Sequence, residues 1–296
     1  MKQLLFIFSV LLVSCAYGQA SYLENNVVDS HSGKPIPYAN IWVLNTDRGT
    51  SSSVNGDFIL KIDNEFKSLK KLKITAIGYF DTIIDISEIR DTIFLKPREY
   101  NIEEITIFPQ MRNSLIVNPI SKKTDKSYWI CSNTPSIIGR YFKYQDSFDT
   151  TSFIGKIIVY SKKSLRKYDF NLHLYEYDTL NHRPGNDLIK ENILVTTESK
   201  FGFGFTENVI DISRFKLQFP QNGLIIGLEW IMTKENSYDE TSFEGNFTYK
   251  EKKYGPDFLV TNETENNRFL YMGKWFSKEI WSSSKSSPAI SLVLTD

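Results

Sequence analysis

The sequence predicts an all-β protein made of two antiparallel β-sandwiches in series. Three observations carry this. Short runs of alternating residues recur roughly every 8–12 positions between clusters of Gly, Pro, Asn, Asp and Ser, the spacing of sandwich strands. Aromatics make up 14% of the chain, with 21 Phe and 16 Tyr, which suits well-filled sheet cores. Helical periodicity is weak across the first hundred residues.

The chain opens on MKQLLFIFSVLLVSCAYGQA. Lys2 precedes an apolar run from Leu4 to Val13, interrupted by Ser9. The run falls short of the roughly 20 apolar residues that span a bilayer, so it predicts a secretory signal peptide over residues 1–18. Ala16-Tyr17-Gly18 suits ordinary signal peptidase cleavage before Gln19. Leu12-Val13-Ser14-Cys15 also fits lipoprotein processing, which would lipidate Cys15 and anchor the chain to a membrane. Either route exports the protein to the periplasm, the outer membrane or the medium. No later apolar stretch is long enough for a transmembrane helix.

The first module is expected over residues 19–108. Its strands read YLENNVVD, ANIWVLN, DFILKI, LKITAIG, FDTIIDI, DTIFLK and IEEITIF. Gly33, Pro35 and Pro37 punctuate the first connection. In ANIWVLN, Ile41 and Val43 share one face, and Trp42 and Leu44 the other. TDRGTSSSVNG reads as a turn, with Asn55-Gly56 as a type I′ hairpin signal. Phe58 and Leu60 point into the core, and Ile59 away from it.

These residues carry a resemblance. Val28-Asp29, Gly33-Lys34-Pro35-Ile36-Pro37, Ala39-Asn40, Gly49-Thr50, Asn55-Gly56-Asp57-Phe58 and Ile77-Gly78-Tyr79 together resemble the carboxypeptidase regulatory-like domain, from about Leu23 to Ile107. Asn25 departs from the pattern, which has Gly at that point of the first strand. The resemblance implies a transthyretin-like, or prealbumin-like, seven-stranded sandwich. It also implies a non-catalytic accessory module of the kind found on exported bacterial proteins.

The family name invites a test for a zinc peptidase, which needs a His-x-x-Glu pair and a distant His. His173-Leu174-Tyr175-Glu176 has that spacing. It lies in YDFNLHLYEYD, whose alternation is that of a strand, so residues three apart face opposite ways. His31 and His182 lie in turn-like segments. Peptidase activity is not expected.

Residues 109–126 read as a linker with one short ordered piece. Residues 127–296 form the second module, a jelly-roll-like antiparallel β-sandwich. Its strands read SFIGKIIVYS, YDFNLHLYEYD, DLIKENILVTT, ENVIDISRFKL, GLIIGLEWIM, FLVTNET, FLYMGKWFS and AISLVLTD, with DTLNHRPGNDL a turn centred on Pro184-Gly185. In GLIIGLEWIM, Gly227 marks a closely packed central strand. Glu229 reads as a rim carboxylate of that strand or as a ligand-binding group.

Catalytic signatures are sparse. Gly202-Phe203-Gly204-Phe205 lacks the lysine and helix of a phosphate loop. No Gly-x-Ser-x-Gly elbow occurs. Asp178, Asn181, Asn186 and Asp187 lack calcium-loop spacing and read as a solvated turn. Cys131 would be unpaired after signal removal and reads as a small buried residue, so no disulfide is expected. Equal counts of 35 basic and 35 acidic residues leave no basic field for nucleic acid.

The leading expectation is a non-catalytic, exported binding or scaffold protein of the cell envelope. It would contact a glycan, a peptide or an envelope protein through the second sandwich, without metal or cofactor. The rival is a hydrolase of polysaccharide or peptide that uses carboxylates of the second module. A third reading is a structural surface or outer-membrane assembly component. GRYFKYQ and GKWFSKEIW set adjacent aromatics on opposite strand faces. The candidate ligand-binding residues are therefore the outward members of Tyr141/Phe142 and Trp275/Phe276.

Overall fold

The computed structural model describes residues 21–62, 71–98, 113–121, 127–131, 133–244, 247–262, 268–276 and 286–296. The expected signal peptide, Cys15, the strand IEEITIF and Trp281 lie outside the described residues.

The first module contains β1 (Ser21–Asp29), β2 (Asn40–Val43), β3 (Gly49–Ser51), β4 (Asp57–Ile62), β5 (Lys71–Thr75), β6 (Thr82–Asp85) and β7 (Ile93–Leu95). They form two facing sheets, ordered β4-β1-β7 and β3-β2-β5-β6. All their pairings are antiparallel except the parallel β1–β7 pair. Ile41, Val43, Phe58, Leu60, Leu72 and Ile74 fill the core between them, and Ile59 is exposed, as the alternation requires.

Two local expectations are corrected. The segment read as one long turn contains β3, a strand of Gly, Thr and Ser too short and too small to show alternation. The Asn55-Gly56 turn is also not type I′. Only Gly56 is left-handed, with φ +82°, whereas type I′ needs both residues there. Gly56 instead closes the turn begun at Ser53, whose carbonyl accepts its N–H at 3.0 Å. A side chain at Gly56 would meet the Val27 carbonyl oxygen at 2.6 Å.

The second module begins inside the expected linker, whose ordered piece is β8 (Ser114–Val117), paired with the final strand. It continues through β9 (Ser127–Cys131), β10 (Ile137–Phe142), β11 (Phe153–Lys162), β12 (Asp169–Asp178), β13 (Arg183–Asp187), β14 (Ile193–Thr196) and β15 (Phe205–Asp211). It ends with β16 (Leu224–Trp230), β17 (Ser237–Glu244), β18 (Phe247–Asn262), β19 (Arg268–Tyr271), β20 (Trp275–Phe276), β21 (Ser286–Pro288) and β22 (Ile290–Thr295).

One sheet is ordered β13-β12-β16-β10-β19-β20, with β14 also on β12. The other is ordered β17-β18-β11-β22-β8, with β15 on β11 and with β9 and β21 on β18. The chain crosses repeatedly between the two sheets, as in a jelly roll. Between them lies the larger core, with Phe170, Leu172, Leu174, Leu228 and Trp230 from one side and Ile157, Val159, Phe258 and Leu292 from the other.

Two further departures have simple causes. Pro184 and Gly185 are not the centre of a turn but part of β13, while the turn falls over Thr179–His182. The strand β13 is an edge strand, where Pro removes no ladder bond. The hairpin of β17 and β18, paired from Ser237↔Tyr254 to Glu244↔Phe247, went unread because its charged residues offer no apolar face. Cys131 is buried, and burial pushes its thiol up to about 12.

Candidate functional site

The central strand β16 fixes the site. It pairs with β12 on one side and β10 on the other. Leu224, Ile226, Leu228 and Trp230 face the core, so Ile225, Gly227 and Glu229 face outward. In register on β12 are Asn171, opposite Glu229, then His173 and Tyr175. On β10 the outward residues are Ile137, Gly139 and Tyr141. The outer face of this sheet therefore carries chemistry where most sandwich faces carry solvated polar residues.

The first module covers part of that face with β2, β3 and β5. Trp42 donates its indole N–H to the Pro135 carbonyl at 3.0 Å and meets Tyr271 edge-on, with centroids 5.6 Å apart. Lys73 donates to the Tyr271 hydroxyl at 3.0 Å and the Gly273 carbonyl at 2.8 Å. Ser51 accepts the Met232 N–H at 3.0 Å and donates to Asn40 Oδ1 at 2.9 Å.

At the centre of this interface is Glu229. Its Oε1 accepts from Asn40 Nδ2 of the first module. Its Oε2 accepts from Asn171 Nδ2 at 2.9 Å and lies 3.1 Å from His173 Nε2. The other imidazole nitrogen, Nδ1, is 3.4 Å from Asp187 Oδ1. Glu229, Asn40, Asn171 and His173 are all buried. Burial alone would lower the His173 pKa. The negative charges of Glu229 and Asp187 and their hydrogen bonds outweigh burial and raise it to about 10. The ring is therefore an imidazolium at neutral pH, flanked by two carboxylates.

These groups line a cavity of about 1260 Å³ between the modules. Tyr38, Asn40 and Asp81 contribute from the first module, and His173, Asp187, Tyr271 and Trp275 from the second. The imidazole bridges Asp187 and Glu229, one carboxylate on each ring nitrogen.

Of the four candidate aromatics, the structure brings two together. Tyr141 and Trp275 both join the outer-face cluster of Tyr175, Ile225 and Phe269. Tyr141 packs on Tyr177 with centroids 4.6 Å apart. Trp275 packs on Tyr175 at 5.4 Å and Tyr271 at 5.0 Å. Both are partly exposed. Phe142 is the inward member of its pair, buried in the main core because its strand neighbour Tyr141 takes the outward face, so it is not available to a ligand. Phe276 follows Trp275 and so takes the opposite face, with the Lys274 ammonium 5.5 Å from its ring centre.

The polar network was missed in the sequence. His173 read as an isolated histidine, and Asp187 as part of a solvated turn. One signal existed: in DFNLHLY, Asn171 and His173 alternate with Phe170, Leu172 and Leu174, giving a polar stripe inside a strand segment that is buried from Phe170 to Tyr175. Among the described residues no group of three or more His, Cys, Asp or Glu is arranged to hold a metal ion.

Residues 24–107 match the model of the CarboxypepD_reg-like domain. The first sandwich is a CarboxypepD_reg-like domain. Such domains are regulatory and non-catalytic, and here the CarboxypepD_reg-like domain presents Asn40, Trp42 and Lys73 to its neighbour. A search of curated proteins gives no match. A chain from the structure of infectious bursal disease virus Gx strain aligns over 94% of this chain and 74% of its own, at 11% identity and a TM-score of 0.22. That score is too low to carry a statement about the fold.

Proposed function

We propose that this is a non-catalytic, exported binding protein of the cell envelope that takes a glycan on the outer aromatic face of the second sandwich, beside the CarboxypepD_reg-like domain. The observation that carries the reading is the row of Tyr141, Tyr177, Tyr175, Tyr271 and Trp275 on one sheet face, of which Tyr271 and Trp275, packed over the buried Tyr175, line the cavity edged by Asp187. Sugar rings stack on such faces through their C–H groups, while carboxylates and amides take the hydroxyls.

Saturation of the network supports binding over catalysis. Both oxygens of Glu229 are engaged by donors of Asn40, Asn171 and His173. A general acid or base must keep a site open for substrate.

A glycan array followed by calorimetry on the chain from Gln19 tests this. A bound glycan is expected, with affinity reduced at least about tenfold by Trp275→Ala or Tyr141→Ala, since aromatic anchors dominate such contacts. Chelators should leave binding unchanged. Capture of peptides with no glycan bound overturns the reading.

A further inference from the structure

The Gly-Phe-Gly-Phe segment is unused by the cleft, yet it forms the most exposed apolar feature among the described residues. It lies between β14 and β15, next to the loop joining β11 and β12. Hydrogen bonds tie the two loops into one tip. Lys163 N donates to the Gly204 carbonyl at 2.9 Å, Lys200 N to the Ser164 carbonyl at 2.8 Å, and Ser199 Oγ to the Leu165 carbonyl at 2.7 Å.

Three large apolar side chains stand out from this tip. Leu165 is 68% exposed, Phe201 86% and Phe203 99%. Gly202 and Gly204 take φ values of +112° and +97°, which other residues rarely adopt. The loop is thus held in a shape that leaves both Phe rings in solvent. Single exposed apolar residues are ordinary, but three on one pinned tip are not.

Charge surrounds them. The same two loops carry Lys163, Arg166, Lys167 and Lys200 against the single carboxylate of Glu198. Glu198 pairs with Lys200 at 2.6 Å. Arg166 is held at the base of the tip, donating to the Glu235 carbonyl at 3.1 Å.

We propose that this tip inserts Phe201, Phe203 and Leu165 into the interfacial layer of a phospholipid bilayer bearing anionic headgroups. Apolar spikes reaching about 5–10 Å into the headgroup–acyl boundary, with lysines at headgroup level, are how peripheral proteins hold a surface without spanning it. The shape favours lipid over a protein partner. A stable protein interface needs about 800 Å² of complementary surface on each side, whereas two loop ends offer points.

Co-sedimentation of the chain from Gln19, which lacks Cys15, tests this. The vesicles are phosphatidylcholine alone and phosphatidylcholine with about one quarter phosphatidylglycerol. Binding is expected to the anionic vesicles and to weaken with salt. F201S/F203S should reduce it at least about tenfold with an unchanged unfolding temperature. K163Q/K167Q should reduce binding to anionic vesicles and flatten its salt dependence. Failure of the unsubstituted chain to sediment with either vesicle overturns the proposal, as does equal sedimentation of F201S/F203S. Self-association in sedimentation velocity that depends on the two Phe, without vesicle binding, also overturns it and assigns the tip to a second copy of the chain.

Discussion

Asn40 of the first sandwich donates its side-chain amide to Glu229 of the second, 189 residues along the chain. The bond is buried, and its acceptor is held from below by Asn171 and His173. A carboxylate this enclosed is stable only when its oxygens are satisfied. The CarboxypepD_reg-like domain therefore completes the polar interior of its neighbour.

Asn40→Ala removes one of these donors. Leaving part of a buried carboxylate unsatisfied costs about 1–3 kcal/mol. Calorimetry is expected to show a lower unfolding temperature, with a separate, earlier transition for the first sandwich. An unchanged single transition would contradict the role given to this bond.

His173 makes the interface sensitive to pH. Its folded pKa, about 10, lies above the ordinary 6.5. The proton is therefore bound more tightly in the folded state, and its stabilisation is complete below pH 6.5 and lost as pH rises through about 10. The stability difference between wild type and His173→Gln should shrink steadily across that interval. Urea unfolding at a series of pH values checks this. A difference that grows with pH would contradict it.

Asp29 gives the opposite sign. Its carboxylate accepts from the Ser32 and His31 backbone N–H groups, both at 2.7 Å, and from the Tyr79 hydroxyl at 2.9 Å. The Ser32 backbone bond leads in lowering its pKa to about 2, and the His31 and Tyr79 bonds add to it and together outweigh burial, which pushes the other way. Stability from this group is present above the ordinary carboxylate range and lost as pH falls through about 2. Asp29→Asn should destabilise at neutral pH and be nearly silent in strong acid. Unfolding midpoints at pH 7 and pH 2 make the comparison.

Gly49 seats the two sandwiches at close range. Its N–H donates to the Asn133 carbonyl at 3.2 Å. A Cβ there would meet Pro135 Cδ at 2.5 Å and the Ile41 carbonyl oxygen at 2.6 Å. Neither neighbour is the free end of a flexible side chain. Gly49→Ala should cost about 1–3 kcal/mol, as overpacking does, and should disturb the Trp42–Tyr271 contact. Thermal unfolding with Trp fluorescence measures both.

The amino-acid sequence alone determined the class of fold and the first module. Alternation in ANIWVLN and DFILKI, with punctuation at Gly33-Lys34-Pro35 and Asn55-Gly56, is local information set by strand period and turn chemistry. The same local rule named the pairs Tyr141/Phe142 and Trp275/Phe276, because adjacent residues of a strand must face opposite ways, but which member faces outward was decided by the sheet. It could not separate β3 from a turn, nor find the β17–β18 hairpin, because neither carries an apolar stripe. Only the tertiary structure decided the site. Asn40, His173, Asp187 and Glu229 come from four strands in two modules, and no spacing along the chain encodes their meeting. What joins them is cross-strand register together with the docking of one sandwich on the other. Burial there makes each polar group depend on partners that are remote in sequence.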